Sequence, residues 1–191
     1  MGADHLELYE RASAWTTDKV RRASEQLDAS TPCDEWDVRT LLNHMLDTQR
    51  YFLASARGED ASPPAPEPPE VLSSDPLADF ENVRSEMLEA FDDPRVQERT
   101  GPALGIAFSD QLLHGWDLAR ATKQDATMPA DLAQAAYDTI HGRFTDEQRT
   151  GVFKPELEVG ADASAQDKLL AYTGRDPSAA SAASATSGQR R

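Results

Sequence analysis

Apolar residues recur at three-to-four spacing along most of the chain, the period of helices that each bury one face. Leu8, Ala12, Trp15, Val20, Ala23 and Leu27 mark a first helix over residues 4–27. Ser30-Thr-Pro-Cys-Asp-Glu interrupts the pattern with turn residues, and Asp37 then stands as an N-cap before Val38. Trp36 ahead of that cap and Leu41 behind it have the placement of a hydrophobic staple. A second helix runs from Val38 to Ala56 and buries Val38, Leu41, Leu42, Met45, Phe52 and Leu53. His44 lies at the edge of its stripe, beside Thr48 and Tyr51.

Residues 57–75 carry no such period. Their run Ser-Pro-Pro-Ala-Pro-Glu-Pro-Pro is incompatible with helix or central strand and reads as extended and mobile. A connection this long suggests a lid or a tolerated insertion. Asp75-Pro76 pairs an N-cap with proline at the first helical position and opens a third helix through Leu77, Phe80, Val83, Met87, Leu88 and Phe91. Asp92-Asp93-Pro94 ends it. Gly101-Pro102 opens a fourth helix that reaches Lys123, and Pro129 opens a shorter fifth over residues 130–141. Gly151-Val-Phe-Lys-Pro reads as extended, and residues 165–172 as one or two last helical turns. Four main helices with one apolar face each predict an all-α four-helix bundle with short extra C-terminal helices. The bundle domain spans residues 1–176, and residues 177–191, rich in serine and alanine, read as a disordered low-complexity tail.

The fourth helix carries the candidate chemistry. In Asp110-Gln-Leu-Leu-His114-Gly-Trp-Asp117, the two aspartates and the histidine fall at i, i+4 and i+7, on one stripe with Ala103, Ala107 and Ala121. A carboxylate and an imidazole one turn apart on a buried stripe can hold a divalent metal, given a further ligand from another helix. His44, in an equally apolar helix, is the candidate. Three roles are open to Asp117: a fourth ligand, an acceptor that orients a ligand imidazole, or a salt bridge to an arginine across the bundle near Arg120. The orienting role ranks first, because metal-bound imidazoles commonly donate to such carboxylates. Cys33, beside Pro32, reads as a packed small residue rather than a nucleophile. His5 and His141 lie near helix ends and read as surface residues, and the three tryptophans as core, with Trp116 also able to line a pocket.

Composition narrows the partners. A formal net charge of -15 repels nucleic acid and anionic lipid, so neither is expected to bind. No apolar stretch approaches the length that spans a bilayer. Met-Gly-Ala-Asp-His-Leu-Glu lacks the features of a secretory leader, and one cysteine, Cys33, excludes an internal disulfide. Both suit a cytoplasmic protein. Bundles of this kind often dimerise, and a homodimer is compatible with the chain, although no stripe marks its interface.

Two stretches also resemble a known family. Thr31-Pro-Cys-Asp-Glu-Trp-Asp-Val-Arg-Thr-Leu-Leu-Asn-His44 resembles the opening signature of the mycothiol-dependent maleylpyruvate isomerase N-terminal family, within the DinB/YfiT-like four-helix bundles. Asp110-x-x-x-His114-Gly-Trp-Asp117-Leu-Ala-Arg-Ala resembles its second signature. The ending that runs through Asp162-Ala-Ser-Ala-Gln-Asp-Lys-Leu-Leu-Ala-Tyr-Thr-Gly-Arg-Asp-Pro177 is similar to that of an actinobacterial subgroup of metal-binding proteins.

The resemblance implies a divalent metal, usually zinc, held by His44, Asp110 and His114, and a low-molecular-weight thiol such as mycothiol as co-substrate. The isomerase has glutamate where this chain has the shorter Asp110, and it carries an added C-terminal domain and thiol-binding basic residues that have no counterpart in this sequence. The expected chemistry is therefore broader than maleylpyruvate isomerisation: a metal-dependent thiol S-transferase or isomerase acting on an electrophilic small molecule. Within that reading residues 61–69 border the substrate entrance. Two alternatives stand beside it, a metal-binding structural or interaction module without turnover, and a metal-free bundle whose polar stripe is satisfied internally.

Overall fold

Side chains that accept from the first free amides fix where the helices begin. Asp4 accepts from the Leu6 N–H and opens α1, His5–Ala23. Asp37 accepts from Thr40 and opens α2, Val38–Arg57. Asp75 accepts from Ala78 and, with proline in the first turn, opens α3, Pro76–Phe91. The computed structural model describes residues 4–33, 36–144 and 153–180. Its further helices are α4, Pro94–Thr100; α5, Ala103–Ala121; α6, Ala130–Ile140; and α7, Ala165–Tyr172, capped by Ser164. A 3-10 turn covers Pro177–Ala180. Among the described residues no helix is long and apolar enough to cross a membrane.

Two boundaries differ from those the periodicity predicts. The first helix stops at Ala23 rather than running to Leu27. The Leu27 and Ala29 carbonyls accept from the Arg39 and Val38 amides instead, tying the α1–α2 connection to the start of α2. The second difference is α4. Asp92-Asp93-Pro94 ends α3 but also begins a new helix, because Asp93 accepts from the Arg95 N–H and Pro94 sits in the first turn. It is the same device that opens α3.

The four long helices α1, α2, α3 and α5 form the bundle, with α1 and α2 each packed against both α3 and α5. Cross-bundle bonds give the directions. Thr16 of α1 bonds Gln111 of α5, and Gln124, just past α5, bonds Lys19, so α1 and α5 run parallel. Arg84 of α3 reaches Ser13 and Arg21 reaches Glu81, so α3 is antiparallel to α1. Arg57 at the end of α2 pairs with Glu86 in the second half of α3, while Asn43 near its start holds the segment just before α3. Helices α2 and α3 are therefore parallel.

That arrangement explains the proline-rich segment. Two parallel neighbours of about 30 Å cannot be joined by a tight turn, so the chain must travel back along the bundle. Residues 59–75 do so without helix or strand, and repeated prolines suit an extended path. The segment is a crossover connection, a role that the lid or insertion readings did not include. Asn43 anchors it, accepting from the Val71 N–H at 2.7 Å and the Leu72 N–H at 3.0 Å.

The core runs the length of the bundle, with Leu41, Leu42, Met45, Met87, Phe91, Phe108, Leu112 and Trp116 among its most buried residues. Helices α6 and α7 extend it on one side of α5. Residues 151–152 of the predicted extended stretch, and residues 181–191 of the predicted tail, lie outside the described residues.

Candidate metal centre

Helix α5 is buried nearly all round, which places its polar stripe inside protein. Asp110 and His114 lie one turn apart on it, with side chains 18 % and 12 % exposed, and His114 Nε2 is 3.5 Å from Asp110 Oδ1. His44 approaches from α2, its ring centroid 5.0 Å from that of His114 at a steep angle. Trp36 packs on His44 from the loop before α2, with centroids 4.8 Å apart. One ligand atom each from His44, Asp110 and His114 can be chosen so that all three lie within 4.8 Å of one another. The structure thus brings together the three residues that the sequence singled out.

Asp117 is fully buried and is held on two sides. Its Oδ2 lies 2.9 Å from His114 Nδ1. Arg175 donates from Nε to Oδ1 at 2.9 Å and from its terminal nitrogen to Oδ2 at 2.7 Å, a two-pronged grip. The Cys33 thiol adds a longer contact to Oδ2 at 3.4 Å. Cys33 is fixed in turn by Thr31, whose hydroxyl accepts from the Cys33 N–H and donates to the Trp36 carbonyl.

The chain end delivers Arg175 by a defined turn. Gly174 adopts a left-handed φ of 75° just past α7. Its N–H bonds the Ala171 carbonyl and the Arg175 N–H bonds the Leu170 carbonyl, the paired bonds of a Schellman ending. A Cβ at Gly174 would stand 2.7 Å from the Pro155 carbonyl oxygen, so this turn needs glycine for space as well as for φ.

Two groups of metal-ligating atoms share His114: His44 with Asp110, and Cys33 with Asp117. The hydrogen bonds decide between them. Both oxygens of Asp117 are already engaged by a cationic guanidinium and an imidazole, which opposes a metal cation there. His44 Nδ1 and Asp110 Oδ2, by contrast, are buried atoms without a hydrogen-bond partner among the described residues. Unpaired buried polar atoms are costly, and a cation held by these side chains would offset that cost. The first group therefore fits a divalent metal, and the second fits an orienting network.

Charge at the centre follows the same division. Burial, with repulsion from His114 and Arg175, pushes His44 down to about 3. Burial also opposes charge on His114, but Asp110 and the Asp117 hydrogen bond prevail and hold it up at about 10. Asp117 is kept ionised against burial by Arg175 and His114, well below the usual carboxylate range. Burial raises the Asp110 carboxyl, with His114 and Arg175 pulling the other way.

Of the three roles open to Asp117, the orienting contact and the arginine pair are both made. The arginine is Arg175, 58 residues along the chain, rather than one near Arg120. Spacing could not find it. The local signal was the Gly174-Arg175 pair after the last helix, which marks a turn but not its target. Trp116 is buried in the core, and its Nε1 has no hydrogen-bond partner among the described residues. Ala61 borders an open cleft of about 390 Å³ with Tyr51, Ser55, Arg99 and Thr100. None of His44, Asp110 and His114 lines that cleft.

Residues 9–119 match the family model of the mycothiol maleylpyruvate isomerase N-terminal domain. The chain is also similar to uncharacterized proteins of two Mycobacterium tuberculosis strains, CDC 1551 / Oshkosh and H37Rv. Each is 24 % identical over 180 residues, covering 90 % of this chain and 98 % of the relative. No solved structure matches. The family match takes in α2 and most of α5, the two helices that carry His44, Asp110 and His114. The chain belongs to the mycothiol maleylpyruvate isomerase N-terminal domain family and has its DinB-like helical fold.

Proposed function

We propose that this protein is a metal-dependent thiol transferase or isomerase, in which His44, Asp110 and His114 hold a divalent metal, with zinc as first choice. The observation that carries the reading is the pairing of proximity with need. Three ligand atoms come within 4.8 Å, and two of the contributing side chains have a buried polar atom without a partner among the described residues. A bound divalent cation lowers the pKa of a thiol and makes the thiolate available at neutral pH.

The chain's own residues supply orientation. Asp117 accepts from His114 Nδ1, which leaves Nε2 as the ligating nitrogen and fixes the ring plane. Trp36 packs against the His44 ring at a tilt and limits its rotation. Three protein ligands leave positions open, the arrangement of a catalytic rather than a structural zinc site. Asp117, engaged elsewhere through both oxygens, does not serve as a fourth ligand, and this favours turnover over the non-catalytic module. The family points to mycothiol or a related small thiol as co-substrate, and an electrophilic small molecule as its acceptor.

Elemental analysis of the purified protein should find about one equivalent of divalent metal. His114→Ala should lose it while keeping its helical circular dichroism, and should lose thiol conjugation to a panel of electrophiles. Asp110→Glu should retain metal, because the longer acid keeps the carboxylate. Full thiol-dependent activity in a metal-free His114→Ala protein would overturn the assignment. A parent protein that binds metal but conjugates no thiol would favour the non-catalytic module.

A further inference from the structure

We propose that Arg175 is a positioning residue for the metal centre: it locks Asp117, which in turn aims His114 at the metal. The inference rests on the metal reading above and adds a component outside the family match, which ends at residue 119.

Four observations carry it. Arg175 binds both oxygens of one buried carboxylate, so Asp117 can neither rotate nor slide along α5. The oxygen that Arg175's terminal nitrogen holds is the same one that meets His114 Nδ1. Arg175 is itself 13 % exposed, so water competes weakly for its donors. Its backbone is fixed by the Schellman bonds and by the crowded Gly174, so the guanidinium arrives in one place. A surface arginine would hold Asp117 only loosely, whereas this one is delivered by a turn that tolerates no side chain.

The consequence is that α5 alone does not make a finished site. Without the grip of Arg175, Asp117 loses its orientation along with the cation that does most to keep it ionised, and His114 Nε2 is free to swing away from His44 and Asp110. The segment after α7 thus acts as a clasp on the ligand set, and the match over residues 9–119 contains the ligands without the clasp.

Cobalt(II) titration of the full chain, followed by its d–d absorption bands, tests this without reference to turnover. Arg175→Met should weaken cobalt binding by about 10- to 100-fold, the usual effect of losing an orienting contact. Arg175→Lys, which keeps the buried charge and so guards against misfolding, should give an intermediate loss. Asp117→Asn should weaken binding similarly. The double variant Asp117→Asn/Arg175→Met should bind within about threefold of Asp117→Asn, because Arg175 acts only through Asp117. In the chelated parent, nuclear magnetic resonance should show a slowly exchanging Arg175 Nε–H signal that is lost in Asp117→Asn. Equal cobalt affinity for parent, Arg175→Met and Arg175→Lys would overturn the inference and leave the metal reading intact. A fully additive double variant would also overturn it. A parent that binds no cobalt would overturn both.

Discussion

Thr16 occupies the space that a side chain at position 115 would need. A Cβ on Gly115 would stand 2.5 Å from the Thr16 hydroxyl oxygen and 2.7 Å from the Trp15 ring. That hydroxyl donates to the Gln111 carbonyl at 2.8 Å. One glycine therefore sets how closely α1 and α5 approach, immediately beside His114. Gly115→Ala should push the helices apart and destabilise the protein by about 1–3 kcal/mol, the usual range for overpacking. Urea unfolding would measure it. Gly115→Ala combined with Thr16→Ala should recover part of the loss, because the second change removes the obstructing oxygen.

Asn43 should be the main anchor of the crossover. Replacing it with alanine leaves the Val71 and Leu72 amides without their acceptor. We expect a loss of about 1 kcal/mol, because the two amides are only half-buried and water can partly replace the lost acceptor. Hydrogen exchange at Val71 and Leu72 should accelerate in Asn43→Ala more than exchange in α1, and equal protection in both proteins would refute the anchor.

The histidines predict the pH dependence of the chelated protein. His44, held down at about 3, stays neutral in the fold while the unfolded chain takes up a proton near 6.5. Its effect on stability worsens as pH falls from about 6.5 to about 3. His114, held up at about 10, favours folding fully below about 6.5, and that contribution is lost as pH rises to about 10. Asp117, depressed by Arg175 and His114, stabilises above about 3.8 and loses its contribution as pH falls below that. Denaturation at a series of pH values should show the alkaline decline flattened in His114→Gln and the decline between pH 6.5 and 4 flattened in His44→Phe.

Lys123 offers a simple stabilisation. It holds a left-handed φ of 57° just past α5, and the Gln124 N–H reaches back to the Ala119 carbonyl. Glycine adopts that conformation without a Cβ penalty. Lys123 is exposed, so Lys123→Gly should raise stability by about 0.5–1 kcal/mol, or about 1–4 °C in Tm. An unchanged or lower Tm would show that the lysine side chain offsets the strain.

The proximity of the candidate trio was legible in the sequence for a physical reason. Asp110 and His114 share a helix, where spacing alone fixes which face they occupy. His44 could be added because its own helix was equally apolar. Caps and prolines gave the starts of α2 and α3 to the residue. Directions were harder. Alternating up-and-down helices and a crossover leave the same periodicity, so only tertiary contacts such as Arg57–Glu86 show α2 and α3 to be parallel. The Asp93-Pro94 signal reads as a stop because it also ends α3. Arg175 was invisible as a partner because no local rule links a turn after α7 to a carboxylate on α5.

The parallel pairing of α1 with α5 also orders events during synthesis. Thr16 and Gln111 are 95 positions apart, so α1 leaves the ribosome long before its principal neighbour exists. Contacts this distant in sequence close late and slow folding. Until then α1 packs chiefly against α3, with the Tyr9 hydroxyl donating to Gln49 of α2. A nascent chain paused before residue 103 would expose the surface meant for α5, and a chaperone that binds apolar helices would find its best target there.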